Sequence, residues 1–253
     1  MACYSRSARC SRRRTALGQR RCGLRGVSPR CRLPLPNQSS PGRRRPLLFA
    51  TPDPNRWSRS PLVVLVASGP SLRLSPVEAL AGPPVIAVND CWRVVPSAQI
   101  LYAADAPWWK HHQWASSFKG ERWTQHRGPR GWHEEAAAHG LRVIRSASLN
   151  GVSTDPGLIH TGANSGFQVL NLAILGGARR IALLGYDMGP SDGLSHWFGD
   201  HPGQLNKTSP YAVFRRAFDE AAPQIMALGV EVINCSVQTS LTCFPRADLR
   251  DLL

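Results

Sequence analysis

The chain has 253 residues and a formal charge of +15, from 31 Lys and Arg against 16 Asp and Glu. With 42% hydrophobic and 19% charged residues its composition excludes a collagen or a coiled coil. No uninterrupted apolar run approaches the ~18–20 residues of a bilayer span, so a soluble, cytoplasmic protein without a transmembrane segment is expected. The charge is lopsided: residues 1–60 hold 15 Arg, no Lys and the single acid Asp53, whereas residues 61–253 hold 16 basic against 15 acidic residues.

Residues 1–60 carry seven Pro and the clusters Arg12–Arg14 and Arg43–Arg45, with neither helical nor strand periodicity. Such a segment buries too little apolar surface to offset its ordering entropy, and a disordered Arg/Pro-rich extension is expected. Three origins stay open: an arm that neutralises phosphates, the one route by which nucleic acid enters; an organellar presequence lacking a clear amphipathic helix; or a start codon assigned upstream of the native one in a GC-rich gene. Cys3, Cys10, Cys22 and Cys31 match no zinc spacing. Cys91, Cys235 and Cys243 sit on apolar segments and read as buried free thiols.

Residues 61–253 are long enough for one domain with a substantial core. Pro61–Ala67 (PLVVLVA) is an apolar, β-branched run followed by Ser68-Gly69-Pro70-Ser71 and a helical stretch around Pro76–Leu80. Pro84–Val88 is a second buried strand ending on Asn89-Asp90, and Ala98–Ala103 a third ending near Asp105. In open parallel sheets the carboxyl ends of strands border the ligand crevice, which places Ser68, Gly69, Asn89 and Asp105 together. Residues 108–140 begin with Trp108, Trp109, Trp114, Trp123 and Trp132, five of the eight tryptophans, and read as an insertion or lid; a ring-stacking wall and a packed subdomain core both remain open.

Leu141–Ile144 is a short strand, residues 146–160 a polar loop, and Asn164-Ser165-Gly166 opens a helix over Phe167–Leu175 closed by Gly176-Gly177. Small polar residues at a helix start leave backbone N–H groups for an anion. Arg179–Leu184 is the next strand, ending in Gly185-Tyr186-Asp187, and a loop holds His196-Trp197-Phe198-Gly199-Asp200-His201. A helix begins after Ser209-Pro210 and runs to Ala227; Val230–Asn234 is the last strand. The expected class is a Rossmann-like α/β fold, a mostly parallel sheet with helices on both faces. No G-x-G-x-x-G, no phosphate-binding G-x-x-x-x-G-K-[ST] and no D-x-D occur, so dinucleotide, P-loop and metal-bridged sugar-nucleotide motifs are absent. No metal site is expected.

The order of these motifs, from Ser68-Gly69-Pro70-Ser71-Leu72 through Asn89, Asn164-Ser165-Gly166, Gly185-Tyr186-Asp187 and His196–His201, resembles that of small bacterial CMP-sialic-acid sialyltransferases. The same GPSL opening is similar to motility accessory factors and hydroxymethylpterin diphosphokinase-like proteins, and to uncharacterised prophage-type proteins. The likeness spans roughly residues 62–244. It implies a metal-independent, Rossmann-like variant of the GT-A fold that moves a sugar from a CMP-type donor to a hydroxyl acceptor without a cofactor. On that resemblance Gly69 and Asn89 face the nucleotide, Ser165 and Gly166 face the donor's phosphate or sugar, and His201, or His196 in its place, is the general base. Ser68, Pro70, Ser71, Asp105, Asn164 and Trp197 are further candidates for nucleotide or donor binding, and Asp187 is open between a substrate contact and a cap or loop hydrogen bond. The chain departs from the family at Ser68, where the family has asparagine, at Trp197, where it has tyrosine, and at Gly162-Ala163, where it has an arginine. Asp200 is an extra residue before His201. Two alternatives stand beside this reading: Mg²⁺-dependent phosphoryl transfer through Asp105 and Asp187, and a non-catalytic nucleotide- or nucleic-acid-binding accessory protein.

Overall fold

The computed structural model of the protein describes residues 49–191, 193–205 and 208–253. Its centre is the run that the sequence marks most strongly: β1 (Val63–Val66) is buried at every position, as a strand covered on both faces must be. Parallel to it on one side lie β2 (Val85–Val88), β3 (Ile100–Tyr102), β4 (Glu121–Gln125), β5 (Arg142–Ala147) and β6 (Leu158–His160); on the other lie β7 (Arg180–Leu184) and β8 (Glu231–Asn234). All eight strands form one parallel sheet in the order β6-β5-β4-β3-β2-β1-β7-β8. This is the expected Rossmann-like α/β architecture.

Side-chain alternation along the strands divides the core in two. Val63 and Leu65 point to α3 (Ser165–Leu175) and α4 (Tyr211–Ala227), where Phe167, Leu170, Phe218 and Ile225 complete one layer. Val64 and Val66 point to the opposite layer, built from α1 (Ala106–His111), α2 (Trp132–Ala138) and short 3₁₀ turns. The helix expected around Pro76–Leu80 is instead two such turns, Pro70–Leu74 and Val77–Ala81. Pro70 and Pro76 each remove a backbone donor and restrict the residue before them, so a continuous helix cannot form there.

Two expectations about boundaries are corrected. Residues 108–140 are not an insertion or lid: they supply α1, β4 and α2, with β4 hydrogen-bonded between β3 and β5. The domain also starts before residue 61. Trp57 is 3% exposed, and its backbone N–H donates to Gly176 O at 2.9 Å. A Cβ on Gly176 would lie 2.3 Å from the Trp57 ring, and one on Gly177 (φ +86°) 2.2 Å from Pro54 O, so the glycine pair after α3 is where residues 54–57 dock. Arg56 adds an ion pair to Glu121 at 2.8 Å, and Ala50 N–H donates to Val143 O at 2.7 Å. The readings of residues 1–48, including their four cysteines, lie outside the described residues. Cys91 and Cys235 are buried free thiols and Cys243 a half-buried one. No helix among the described residues is long and apolar enough to cross a membrane.

Candidate functional site

The chain leaves β1 for β2 on one side and returns through β7 on the other, so the loops after β1 and β7 diverge. In an open parallel sheet that divergence is where a crevice opens. A cavity of about 240 Å³ lies there. Ser68 and Gly69 reach it from β1, Asn89 from β2, Asp105 from β3, and Gly185 and Asp187 from β7. Asn164, Ser165 and Gly166 at the start of α3 form another wall, and His196 and His201 form the last. Ten of the anticipated site residues therefore meet in one place, although they come from segments far apart in the chain.

Their roles differ from the sequence expectation in several cases. Asp187 is buried and serves as an internal latch: its carboxylate accepts from Ser71 N–H at 2.6 Å and from Ser71 Oγ–H at 2.7 Å, tying the loop after β7 to the turn after β1. Burial raises its pKa, and the two Ser71 hydrogen bonds pull it back. Ser71 is consumed by that latch and Pro70 lies buried beside it; neither lines the cavity. Gly69 donates its N–H to Gly185 O at 2.9 Å, and a Cβ there would sit 2.4 Å from Asp187 Oδ1. Its glycine is a requirement of close loop packing.

Asn164 is the N-cap of α3. Its Oδ1 accepts from Phe167 N–H at 2.8 Å and its Nδ2–H donates to Gly162 O at 2.9 Å. Ser165 Oγ accepts from Ala104 N–H at 3.3 Å, joining α3 to the end of β3. Gly166 admits the Tyr186 ring, since a Cβ would meet it at 2.9 Å, and Gly166 O accepts from Tyr186 Oη–H at 3.1 Å. What remains open toward the cavity is the pair of backbone N–H groups of Ser165 and Gly166, which have no protein acceptor among the described residues. Asn89 is held in the left-handed region at φ 49°, and Asp105 is exposed at the cavity rim without capping α1.

The histidine wall is held by rings. His196 and His201 lie 4.6 Å apart between centroids, with Phe198 stacked on His196 at 5.2 Å and edge-on to His201 at 4.9 Å. His196 Nδ1 is 3.4 Å from Ser68 Oγ. His201 has no hydrogen-bond partner among the described residues. Burial lowers the pKa of both imidazoles. The neighbouring His201 lowers that of His196 further, while Asp90 opposes the shift on His201. Both rings are thus neutral near pH 7 and able to accept a proton.

Trp197 turns away. Its ring packs against the core layer of α1 and α2 with the Arg93 guanidinium 5.7 Å from its centroid, and it does not line the cavity. Nor do the other tryptophans build a stacking wall. The indole N–H groups of Trp109, Trp123 and Trp132 donate to Ala103 O, Glu121 and Gln125 O, and their rings are core. Trp108 donates to Asp90 Oδ2 at 2.8 Å and touches only a small pocket beside His201.

Sequence reasoning missed Asp90, Tyr211 and Arg127. Asp90, 2% exposed, also faces His112 Nε2 at 3.3 Å, and its place after Asn89 at a strand end was a usable signal. Tyr211 brings a phenol to the cavity from the start of α4, and Arg127 follows a strand that the sequence did not reveal. Among the described residues no three His, Cys, Asp or Glu side chains converge as metal ligands. No protein-family model matches the chain, and no curated protein matches it.

Proposed function

We propose that the cavity binds a nucleotide-activated sugar and transfers the sugar to a hydroxyl acceptor, with His201 as general base and no metal in the reaction. The observation that carries this reading is the neutral His196–His201 pair facing the same crevice as the free N–H groups of α3. A helix start offers an anion partial positive charge and donors, which suits the phosphate bond of a nucleotide sugar. As that bond breaks, negative charge grows on the phosphate, and donors fixed beforehand stabilise it without reorganisation.

His201 takes the base role because its ring nitrogens are unengaged, whereas His196 Nδ1 is turned to Ser68. The acceptor hydroxyl would lose its proton to His201 as it attacks the anomeric carbon, and His196 would hold the ring pair in place. The family tyrosine that Trp197 replaces has a substitute in Tyr211, whose hydroxyl reaches toward Ser195 O at 3.5 Å on the cavity wall. The Mg²⁺-dependent alternative asks Asp187 to hold a cation, but both of its oxygens are bonded to Ser71.

Thermal-shift titration against CMP, UMP, GDP and ATP, each with Mg²⁺ or with EDTA, tests the binding half. Stabilisation by a pyrimidine nucleotide in EDTA supports the reading, and stabilisation by Mg²⁺-ATP alone ends it. Donor hydrolysis or transfer by wild type and by His201→Ala, with nucleotide binding retained in the variant, tests the chemical half.

A further inference from the structure

Beside the main cavity lies a second, polar one of about 230 Å³. It shares Asp105, Asn164 and Ser165 with the first and is walled by Arg127, Ser148 and Gln168; neither histidine reaches it. Among the described residues lining the two cavities Arg127 is the only Lys or Arg. Its Nη1–H donates to the neutral Ser148 Oγ at 2.5 Å, and it forms no ion pair with any described carboxylate. Arg145 on the adjacent strand β5, by contrast, is paired with Asp155. A guanidinium has five N–H donors in a planar fork, so most of those of Arg127 are unspent. Gln168 cannot compete for a ligand, since its amide donates to Thr161 O and accepts from Tyr102 Oη–H.

We infer that Arg127 anchors an oxyanion of the ligand, a phosphate or a carboxylate, in this side cavity and thereby turns the ligand's other end toward His201. Which molecule fills the main cavity rests on the transferase reading; the anchor itself rests on the side cavity. Arg127 follows β4, the strand next to β3, and lines this cavity together with the turn that opens α3.

The test is isothermal titration of the full chain with matched probes: CMP against cytidine for the phosphate source, and glucuronate against glucose, with inorganic phosphate besides, for the carboxylate and free-ion sources. At least one anionic probe is expected to bind tenfold or more better than its neutral partner, at about the strength of a charge-assisted hydrogen bond. Arg127→Gln should erase that preference, Arg127→Lys should restore part of it, and Arg216→Gln should leave it unchanged. Arg127→Gln binding the anionic probes as wild type does, or no anionic probe exceeding its neutral partner, overturns the anchor. Cytidine and CMP binding alike, with Arg127→Gln silent, removes the anchor and leaves a nucleotide pocket. Phosphate or glucuronate held through Arg127 with no nucleotide bound keeps the anchor and removes the transferase reading.

Discussion

The two sides of the main cavity are built by different means. Where β1, β7 and the start of α3 meet, three polar side chains are tied to other parts of the protein: Asp187 to Ser71, Asn164 to Phe167 and Gly162, Ser165 to Ala104. On the loop side the His196, Phe198 and His201 side chains are held mainly by ring contacts, with the 3.4 Å approach of Ser68 Oγ to His196 as their one side-chain polar tie among the described residues. Satisfied hydrogen bonds fix a shape. Unengaged imidazoles keep their protons negotiable. The contrast separates a frame that defines what fits from a group that could act on it, and it makes mutations on the two sides distinguishable.

The largest effect is expected from the loop side. His201→Ala should lower transfer by about 10²–10⁴-fold, the range for loss of a positioned general base, while the melting temperature stays near wild type. Steady-state turnover together with a thermal scan reads both; a variant that loses stability and activity in step would erase the distinction between the sides. The frame should respond in the opposite way. Gly69→Ala drives a methyl into Asp187 and Gly185 O, and urea unfolding should show a loss of about 1–3 kcal/mol. Asp187→Ala leaves the Ser71 donors unmet and should cost a similar amount.

Asn164→Ala should cost about 1 kcal/mol, as removal of a side-chain N-cap does, and should weaken ligand binding only through fraying of the first turn of α3. Asn164→Asp, which can still cap, should recover most of it in the same unfolding measurement. The smallest effect is that of pH. His112, His196 and His201 have pKa values lowered in the fold, so the unfolded chain binds more protons than the native one as pH falls. Stability should be full at pH 7.5 and decline between about pH 6.5 and 5. A series of melts across that window should be flatter for His201→Gln, and a melting temperature that rises toward pH 5 would contradict the neutral-histidine description.

Much of the frame was legible in the chain because central parallel strands must be continuous apolar runs, and VVLV, VIAV and RIALL are such runs. Polar residues at the ends of those runs gave the cavity. What stayed hidden has physical reasons. β4 reads ERWTQ, because Glu121 is spent on Arg56 and Arg142 and only Trp123 and Thr124 are buried, so it lacks the apolar density of its neighbours. β6 is three residues long at the sheet edge. The role of Asp187 depends on a partner 116 positions away, and no local pattern distinguishes a latch from a ligand contact. Trp197 was assigned to the cavity by the resemblance, where it stands in place of a tyrosine; adjacent side chains of a loop point different ways, and its ring packs against the core. Trp57 shows the same limit from the other direction, since one anchoring aromatic in an Arg- and Pro-rich stretch makes no periodic signal.

The placement of β1 between β2 and β7 has a consequence for the order of assembly. β1 and β2 are close in sequence, but the pairing of Val63 with Ile181 on the opposite flank of β1 closes a loop that holds all of β2 to β6. Closing so long a loop is entropically slow. The crevice exists only once β7 is docked on β1. A chain without that pairing has half a crevice, and occupancy by ligand is a report on the β1–β7 junction.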